Sequence, residues 1–406
     1  MNPPPALVFA RHFARARWQM RHLRGKSLAR YHDVRGSQVA AYAAAHSPFY
    51  RDIYSGRDLL KWQTLPTVDK AAMMANFDTF NTRGVSRDAA MAVALKAERS
   101  RDFEPMVDGL TVGLSSGTSG HRGLFLVDRG EQAAWAGTML ARVLPAWRRR
   151  GFRVALFSRS NSNLYESVRR RWLSLRYFDL MAPLAECTLA LNAERPDILV
   201  APPSKLLMLA EARRRGALRA RPSQIFSVAE VLEPQDAECI EAAFETRVGQ
   251  IYQCTEGLLG VSCRHGRLHI QEDLVHLGLE PFPAPDNARR ATPIVTDLWR
   301  RTQPIIRYRL HDLLTLDPRP CPCGSEFRVI ERIEGRADDV CYFEAVDGGM
   351  RAFFPDVIRR MILMASDRIE DYQAFQEAPA QLRIHVRVSP GASQEEVANA
   401  LRLSVA

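Results

Sequence analysis

Long apolar runs and the pattern of a secretion signal are missing from this 406-residue chain, and a disulfide framework is not expected. No apolar stretch approaches the ~18 residues that a transmembrane helix needs, so no membrane-spanning segment is expected. The N-terminal MNPPPALVF turns basic at once and lacks a signal peptide's order of charge, apolar run and cleavage site. The odd number of cysteines, seven, then favours reduced thiols or a metal site. We expect a cytoplasmic protein.

Motifs of nucleic-acid recognition are also missing, although the formal net charge is +10. The chain has no helix-turn-helix signature, zinc-finger spacing or aromatic RNA platform, so no nucleic-acid partner is expected. The charge is concentrated in residues 1–35, which carry eight Lys/Arg against one acid, Asp33, with Phe9 and Trp18 interleaved. This segment is either an arm for a membrane surface or nucleic acid, or a terminal helix that packs its apolar side on the body. We favour the helix.

What the sequence does contain is typical of a globular α/β protein with two or three packed units. Residues 1–100 are predicted to be mostly helical, and strand-like and helical stretches alternate from about 110 to 290, which predicts an α/β layered domain. Short strands follow, and the chain ends in an α+β segment with a helix near 355–365. We predict an N-terminal domain at 1–335, a hinge at 336–339 and a small, incomplete C-terminal α+β domain at 340–406.

The run Leu114 to Gly123, LSSGTSGHRG, combines three glycines with four hydroxyl residues. Glycines let backbone N–H groups point inward around an anion, and Ser and Thr hydroxyls add donors. The run has neither the Gly-Lys-Ser/Thr ending of the common triphosphate loop nor a GxGxxG dinucleotide fingerprint, and a strand follows it. A surface turn and a phosphate-binding loop both stay open.

Three further stretches carry polar groups next to strand-like runs. In YQCTEG (252–257), a Thr-Glu pair could place a hydroxyl on a phosphate and a carboxylate on Mg²⁺, or simply begin a helix. In RYRLHDL (307–313), Asp312 could bind ribose hydroxyls or sit in a turn. EGRADDV (334–340) could contribute polar groups to the same site, or it could be a solvated linker.

In this order the four stretches resemble the adenylate-forming superfamily of acyl-CoA synthetases, adenylation domains and luciferases, over about residues 40–365. The glycine loop is similar to the family's Ser-Ser-Gly-Thr-Thr-Gly-Lys loop. HSPFYRDIY (46–54) resembles the phenylacetate-CoA ligase branch. FSVAEVLEP (226–234) and the segment 251–273 are closest to the sub-branch containing the deazaflavin-coenzyme synthetase.

The resemblance implies a two-step reaction, in which a carboxylate attacks the α-phosphate of Mg-ATP and a thiol then displaces AMP. Thr255 would contact the α-phosphate, Glu256 would bind Mg²⁺, and Tyr252 with Ala229 and Glu230 would flank adenine. Asp312 and Arg336 would bind the ribose, and Asp338 would be the hinge of the small domain. The β- and γ-phosphates would be held by Ser115, Ser116, Gly117, Thr118, Ser119 and Gly120.

Two departures from the family pattern concern lysine. The lysine expected in the loop is replaced by His121, with Arg122 beside it, and either could supply positive charge. The family's catalytic lysine lies on a late C-terminal loop, but no lysine follows Lys205 here, so either the chain is truncated or the first step proceeds without that lysine. Losing one preorganised donor of this kind costs roughly 10²–10³ in rate.

Four cysteine and histidine residues have the spacing of a metal site. Cys263 and His269 form one soft pair, and Cys321 and Cys323 form another about sixty residues later, which predicts a tetrahedral structural zinc site with His265 as the rival imidazole. The alternative is a group of buried, reduced cysteines. Core packing is expected for the remaining four cysteines, Cys187, Cys239, Cys254 and Cys341.

The leading hypothesis is therefore an ATP-dependent carboxylate–CoA ligase that releases AMP and acts on an aromatic or other hydrophobic acid. Phe157, Tyr165 and Trp172 are candidates for the acid pocket. The rivals are transfer to a carrier-protein thiol, and a nucleotide-binding regulatory protein that has lost catalysis. The expected ligands are ATP or AMP, Mg²⁺, coenzyme A and structural Zn²⁺, and a homodimer is one open assembly state.

Overall fold

The computed structural model describes residues 4–100, 105–115, 122–144, 151–158, 173–282, 289–344, 348–366, 368–378, 381–389 and 391–405. Five of the six predicted loop residues and His121 therefore lie outside the described residues, as do Tyr165 and Trp172. By its internal contacts the chain divides into a first unit and a second unit. The first consists of residues 1–278, 294–310 and 317–331, and the second of residues 279–293, 311–316 and 332–406.

The α-helices, numbered in chain order among the described residues, are α1 Pro5–His22, α2 Gly25–His46, α3 Pro48–Ile53, α4 Lys70–Ala75, α5 Phe77–Phe80, α6 Arg87–Ser100, α7 Arg129–Val143, α8 Leu184–Glu194, α9 Pro203–Arg214, α10 Pro234–Phe244, α11 Pro355–Ala365 and α12 Gln394–Val405. Short 3₁₀ helices span Leu59–Thr64 and Ala337–Asp339. Among the described residues no helix combines the length and apolarity needed to cross a bilayer.

The strands are β1 Met106–Val107, β2 Leu110–Leu114, β3 Leu124–Val127, β4 Phe152–Ser158, β5 Leu173–Asp179, β6 Ile198–Ala201, β7 Gln224–Val228, β8 Val248–Cys254, β9 Gly257–Ser262, β10 Leu268–Ile270, β11 Val275–Pro281, β12 Arg290–Asp297, β13 Tyr308–Arg309, β14 Asp312–Asp317, β15 Val329–Arg336, β16 Cys341–Glu344, β17 Met350–Phe353, β18 Ile369–Ala378 and β19 Gln381–Val388.

The N-terminal helices cover one side of the first unit. Helix α1 packs on α7, and its Phe9 joins the buried apolar cluster there, as the packed-helix interpretation predicted, whereas Trp18 is exposed. The two helices approach so closely that a Cβ at Gly137 would lie 2.4 Å from the carbonyl oxygen of Phe9, so α7 requires glycine at that point. Helix α7 begins at a capping box, in which Asp128 accepts a hydrogen bond from Glu131 N.

The main sheet of the first unit has the order β5-β4-β6-β7-β8-β9-β10-β15. Strands β4 to β8 are parallel, and β9 and β10 pair antiparallel with their neighbours. Apolar clusters cover both faces, one with α1 and α7 and the other with α8 to α10. Strand β6 (ILVA) is accordingly buried along its whole length, as strands covered on both faces require.

A separate three-stranded antiparallel sheet, in the order β1-β2-β3, holds the two strands predicted around the glycine loop. Its buried face packs on α6, through Leu110, Val112, Leu124 and Leu126. Strand β3 is the edge of this sheet, so the polar groups along its outer side need partners other than a strand.

The second unit contains the predicted α+β ending. Hairpin β18–β19 pairs antiparallel, and Ile369 forms a small core with Ile358 and Ile362 of α11 and Val397 and Leu401 of α12. The predicted linker at 334–340 is wrong over its first three residues, because β15 continues to Arg336 before the short 3₁₀ helix begins. The mixed α/β class is confirmed, with a large multi-stranded sheet and its flanking helices.

Candidate functional site

The glycine loop is closed at its base by two hydrogen bonds between its ends. Ser115 N–H donates to the Gly123 carbonyl at 2.8 Å, and Gly123 N–H donates to Ser115 Oγ at 2.7 Å. Ser115 is the one predicted phosphate-binding residue of this loop that falls within the described residues, and its hydroxyl therefore helps to close the loop.

A lysine that the sequence analysis did not propose lies at this base. Lys70, the first residue of α4, donates from Nζ to Ser115 Oγ at 3.3 Å. The two residues before it are held in place, because Asp69 caps α4 and Val68 bridges to Tyr308. The site thus contains a lysine ammonium group at the loop, although it comes from a segment 45 residues earlier.

Arg122, which could have supplied the positive charge of the loop, is bound elsewhere. Its Nη1 and Nη2 atoms donate to the two carboxylate oxygens of Glu98 on α6 at 2.5 and 2.6 Å. The bond from Glu98 raises the pKa of the Arg122 guanidinium, and the same bond lowers the pKa of the Glu98 carboxyl. Arg122 therefore anchors the end of the loop to α6.

Thr255 and Glu256 form the two-residue connection between antiparallel strands β8 and β9, not the start of a helix. The Thr255 hydroxyl donates to Glu256 Oε2 at 2.9 Å, and the glutamate is buried. Tyr308 lies near this carboxylate: burial, followed by the charge of Glu256, raises the pKa of the phenol far above its ordinary value. The turn thus presents a hydroxyl and a carboxylate side by side.

A single guanidinium group connects this turn to the hairpin that carries the glycine loop. Arg300, which is buried, donates from Nη1 to the Thr255 carbonyl at 2.6 Å and from Nη2 to the Leu126 carbonyl of β3 at 3.2 Å. Two stretches that lie about 130 residues apart in the sequence therefore meet within the first unit.

The predicted adenine segment forms a tight turn where β7 ends. Ala229 has a φ of +67°, and Glu230 N–H donates back to the Val228 carbonyl at 2.8 Å. The Glu230 carboxylate accepts from Ser204 N at 3.2 Å and from Ser204 Oγ at 3.0 Å, so it caps α9. Because β7 and β8 run parallel with Val228 opposite Ile251, Tyr252 follows at the same edge of the sheet. A non-glycine residue with positive φ is a strained position of the kind that clusters at ligand sites.

Asp312, Arg336 and Asp338 lie together in the second unit. Asp312 begins β14 and Arg336 ends the neighbouring strand β15. Asp338 is bound by His311 Nδ1 at 2.5 Å and by Arg336 Nη2 at 3.4 Å, and Ala337 N–H donates to the His311 carbonyl. The two predicted sequence stretches are therefore neighbours in space.

The four predicted metal ligands also come together, in the first unit. The ligand atoms of Cys263, His269, Cys321 and Cys323 all lie within 4.8 Å of one another. Cys263 Sγ is 3.7 Å from Cys321 Sγ, and Cys323 Sγ is 3.4 Å from His269 Nε2. A tetrahedral zinc ion with Zn–S of ~2.3 Å and Zn–N of ~2.0 Å places two sulfurs about 3.8 Å apart and a sulfur and nitrogen about 3.5 Å apart. The donor set and its spacing fit zinc.

The surrounding residues orient these ligands. His269 Nδ1 faces the Phe327 carbonyl at 2.8 Å, so a neutral imidazole would donate there and keep its Nε2 lone pair for the cluster. Arg267 donates to the carbonyl oxygens of Pro320 and Arg319 at 2.7 and 2.9 Å, which holds the cysteine loop. Burial raises the pKa of the Cys323 thiol to about 12. His265, the rival imidazole, is not part of the cluster.

Among the other candidates, Phe157 is almost fully buried and stacks on Phe178 in the core, which favours packing over acid recognition. Cys187 is buried, as expected of a core cysteine, whereas Cys239, Cys254 and Cys341 are only partly buried.

The residues that sequence reasoning missed are Lys70, Arg300 and Gln303, the last of which bonds to Leu126 N–H and the Leu124 carbonyl of β3. No spacing relates Lys70 to the loop, and Arg300 and Gln303 lie in DLWRRTQ (297–303), a stretch without a recognised motif. The scarcity of lysine in the chain was the one signal that could have singled out Lys70.

A scan of protein-family models finds none that matches this chain, and a search of curated proteins finds no match. Solved structures do match it. A 2-hydroxyisobutyryl-CoA ligase in the postadenylation state with 2-HIB-AMP has a TM-score of 0.68 at 19% identity, covering 93% of this chain and 83% of that one. The same ligase with 2-HIB-AMP and CoA in the thioesterification state gives 0.62 at 20% identity, covering 100% and 87%.

The ATP-bound RpMatB-BxBclM chimera B1 gives a TM-score of 0.51 at 17% identity, covering 72% of this chain and 60% of that one. At these identities the comparisons establish the fold alone, and the chain shares the fold of the 2-hydroxyisobutyryl-CoA ligase structures, as the resemblance predicted.

Proposed function

We propose that this chain is an adenylate-forming ligase that uses ATP to activate a carboxylic acid as an acyl-adenylate and then transfers the acyl group to coenzyme A, with release of AMP. One observation supports this above the others. Arg300 contacts both the Thr255 carbonyl and the strand that leads out of the glycine loop, so the two stretches assigned to the ATP phosphates are adjacent.

In this proposal Ser115 to Gly120 and Lys70 hold the β- and γ-phosphates. The Thr255 hydroxyl positions the α-phosphate, and Glu256, an oxygen ligand of the kind Mg²⁺ prefers, holds the metal. Mg²⁺ would neutralise phosphate charge when bound. In-line attack of a carboxylate on phosphorus needs positioning and charge neutralisation more than covalent catalysis. A rigid turn and a lysine at the base of the loop suit that demand.

The remaining nucleotide contacts follow the family resemblance. Tyr252, Ala229 and Glu230 would flank the adenine, Asp312 and Arg336 would bind the ribose, and Asp338 would act as the hinge. The bond between Asp338 and His311 gives this hinge a tether that the resemblance does not include.

The acid is proposed to be aromatic or otherwise hydrophobic, on the likeness to the phenylacetate-CoA ligase branch. Coenzyme A is the proposed acceptor because structural neighbours carry an acyl-AMP and CoA. A cytoplasmic location suits cysteines that stay reduced.

Pyrophosphate release with a panel of aryl and alkyl carboxylates, with and without coenzyme A, tests this function. Acid-dependent pyrophosphate release together with an acyl-CoA product supports it. Pyrophosphate release without an acyl-CoA product would point to a carrier-protein thiol as acceptor. Binding of ATP without any acid-dependent turnover would instead favour a regulatory protein that has lost catalysis.

We also propose a structural zinc ion at Cys263, His269, Cys321 and Cys323. Its support is the convergence of three sulfur atoms and one nitrogen to within 4.8 Å of one another, and the carbonyl that holds the histidine in the ligating tautomer. The ion would tie the β9–β10 hairpin to the loop that carries Cys321 and Cys323.

A further inference from the structure

Two side chains satisfy three backbone polar groups on the outer edge of strand β3, and a fourth group, the Leu124 N–H, donates to Met74 Sδ at 3.4 Å. Leu126 N–H donates to Gln303 Oε1 at 2.8 Å, and Gln303 Nε2 donates to the Leu124 carbonyl at 3.2 Å. Arg300 Nη2 donates to the Leu126 carbonyl. Gln303 thus offers an acceptor and a donor in the spacing of a paired strand, so the two side chains take the place of a fourth strand.

The same two side chains are joined to each other and to the Thr255–Glu256 turn. Arg300 Nη2 is 3.0 Å from Gln303 Oε1, while its Nη1 reaches the Thr255 carbonyl. The backbone that carries Arg300 is itself fixed, because Trp299 and Arg300 both donate their N–H groups to Asp297 Oδ1, at 2.8 and 2.9 Å. Glu131 of α7 accepts from the next two N–H groups, those of Arg301 and Thr302.

We infer that Arg300 and Gln303 are positioning residues that set the distance between the glycine loop and the Thr255–Glu256 turn. Neither is assigned a contact with ATP. They bond to the strand that leaves the loop and to the Thr255 carbonyl, which precedes Glu256. Through these bonds they align the residues proposed to bind the β- and γ-phosphates with those proposed to bind the α-phosphate and the metal. This role rests on the proposed function, because it supposes that both segments bind one nucleotide.

The planar guanidinium is essential to this role. Its two terminal nitrogens point in fixed, different directions, so one side chain can bind two carbonyls of separate segments, the Thr255–Glu256 turn and strand β3. A lysine keeps the buried positive charge but has a single nitrogen, and it would have to release one of the two carbonyls. Arg300→Lys therefore uncouples the two segments while changing the charge of the protein little.

The test compares Arg300→Lys with the matched variant Arg213→Lys in the full chain. Arg213 also binds two backbone carbonyls, those of Ala243 and Ala220, at 2.7 and 2.9 Å, but it lies on α9 and holds neither phosphate segment. Misalignment of reacting groups by about 1 Å can cost 10²-fold, so Arg300→Lys should lower kcat/KM for ATP by about 10- to 100-fold. Arg213→Lys should show no such loss at a similar melting temperature.

Gln303→Met, which removes the donor and acceptor but keeps the volume, provides a second test if Arg300→Lys folds poorly. It should also reduce kcat/KM for ATP, and the double variant should lose less than the product of the single losses, because the two residues act together. If kcat/KM for ATP falls equally in Arg300→Lys and Arg213→Lys, in proportion to the fall in melting temperature, the inference is overturned.

The affinity for Mg-ATP, measured by calorimetry, separates this inference from the proposed function. If the wild-type protein binds Mg-ATP but releases no pyrophosphate with any acid, the catalytic proposal fails. The positioning role still predicts weaker Mg-ATP binding in Arg300→Lys than in Arg213→Lys, and equal affinities would refute it.

Discussion

The cysteine–histidine cluster and the proposed nucleotide-binding region differ in how their residues are specified. In the cluster, the four residues proposed from spacing alone are the four whose ligand atoms converge. In the nucleotide region, Thr255 and Glu256 lie in a turn held by Arg300, and the base of the glycine loop is held by Lys70 and Arg122. None of these three supporting contacts was foreseen.

The difference follows from chemistry. Zinc accepts few ligand types, and thiols paired at short spacing are rare enough to be recognised in a sequence. A nucleotide site depends on backbone N–H groups and on the buried side chains that position them. Such supports are ordinary arginines and glutamines, whose partners are distant in the sequence.

The largest predicted effect concerns the turn of the nucleotide region. Glu256→Gln removes the proposed metal ligand, so acid-dependent pyrophosphate release should fall by roughly 10²–10³-fold or more, with an unchanged circular-dichroism spectrum. Glu272→Gln is the matched control, because Glu272 is also buried but binds Arg328. Wild-type rates in Glu256→Gln would refute the magnesium role.

Substitutions in the cysteine–histidine cluster should instead lower the zinc content and the thermal stability. Cys263→Ser should lower the zinc content from about one ion per chain to near zero and reduce the melting temperature, as measured by plasma mass spectrometry and calorimetry. Cys187→Ser replaces a buried cysteine outside the cluster and should keep its zinc. Less than ~0.2 zinc per wild-type chain, purified without chelator, would exclude the metal site.

Lys70→Ala sharpens the comparison by testing a residue that no motif indicated. Loss of a positive charge beside phosphates should lower kcat/KM for ATP by about 10- to 100-fold. Lys96→Ala, on the exposed side of α6, is the control and should behave as wild type. If the two variants have equal rates, the glycine loop does not use Lys70.

The smallest predicted effect concerns the pH dependence of folding stability, through a histidine that belongs to neither site. Burial is the main cause that lowers the pKa of His276 from 6.5 to about 3, so the folded protein keeps it neutral while the unfolded chain takes up a proton below pH 6.5. Stability is therefore present above this pH and is lost as the pH falls towards 3. Lowering the pH from 7.5 to 5.5 should therefore reduce the free energy of unfolding by on the order of 1 kcal/mol through His276.

Urea unfolding at these two pH values measures this difference. His276→Gln should have the shallower pH dependence, and His46→Gln, at an exposed histidine of α2, should keep the wild-type dependence. A wild-type slope in His276→Gln would contradict the assignment.

Much of the fold could be predicted from the sequence, because the spacing of apolar residues indicates which face of a helix or strand is buried. Strand β4 and the alternation β6-α9-β7-α10-β8 were predicted, and so were α11 and α12, whereas α8 was not. Strand β5 was not predicted, although LSLRYFD alternates apolar with polar residues as a half-buried strand does. The Thr255–Glu256 turn could have begun a helix by its local chemistry, and only its pairing with β9 decides for a hairpin.

Acid-dependent exchange of labelled pyrophosphate into ATP tests the central claim most directly, because it reports the first half-reaction without needing the acceptor. We expect exchange that requires Mg²⁺ and a hydrophobic or aromatic carboxylate, and that is lost in Glu256→Gln. Tight binding of Mg-ATP with no exchange for any acid of the panel, in the wild-type protein, would contradict it.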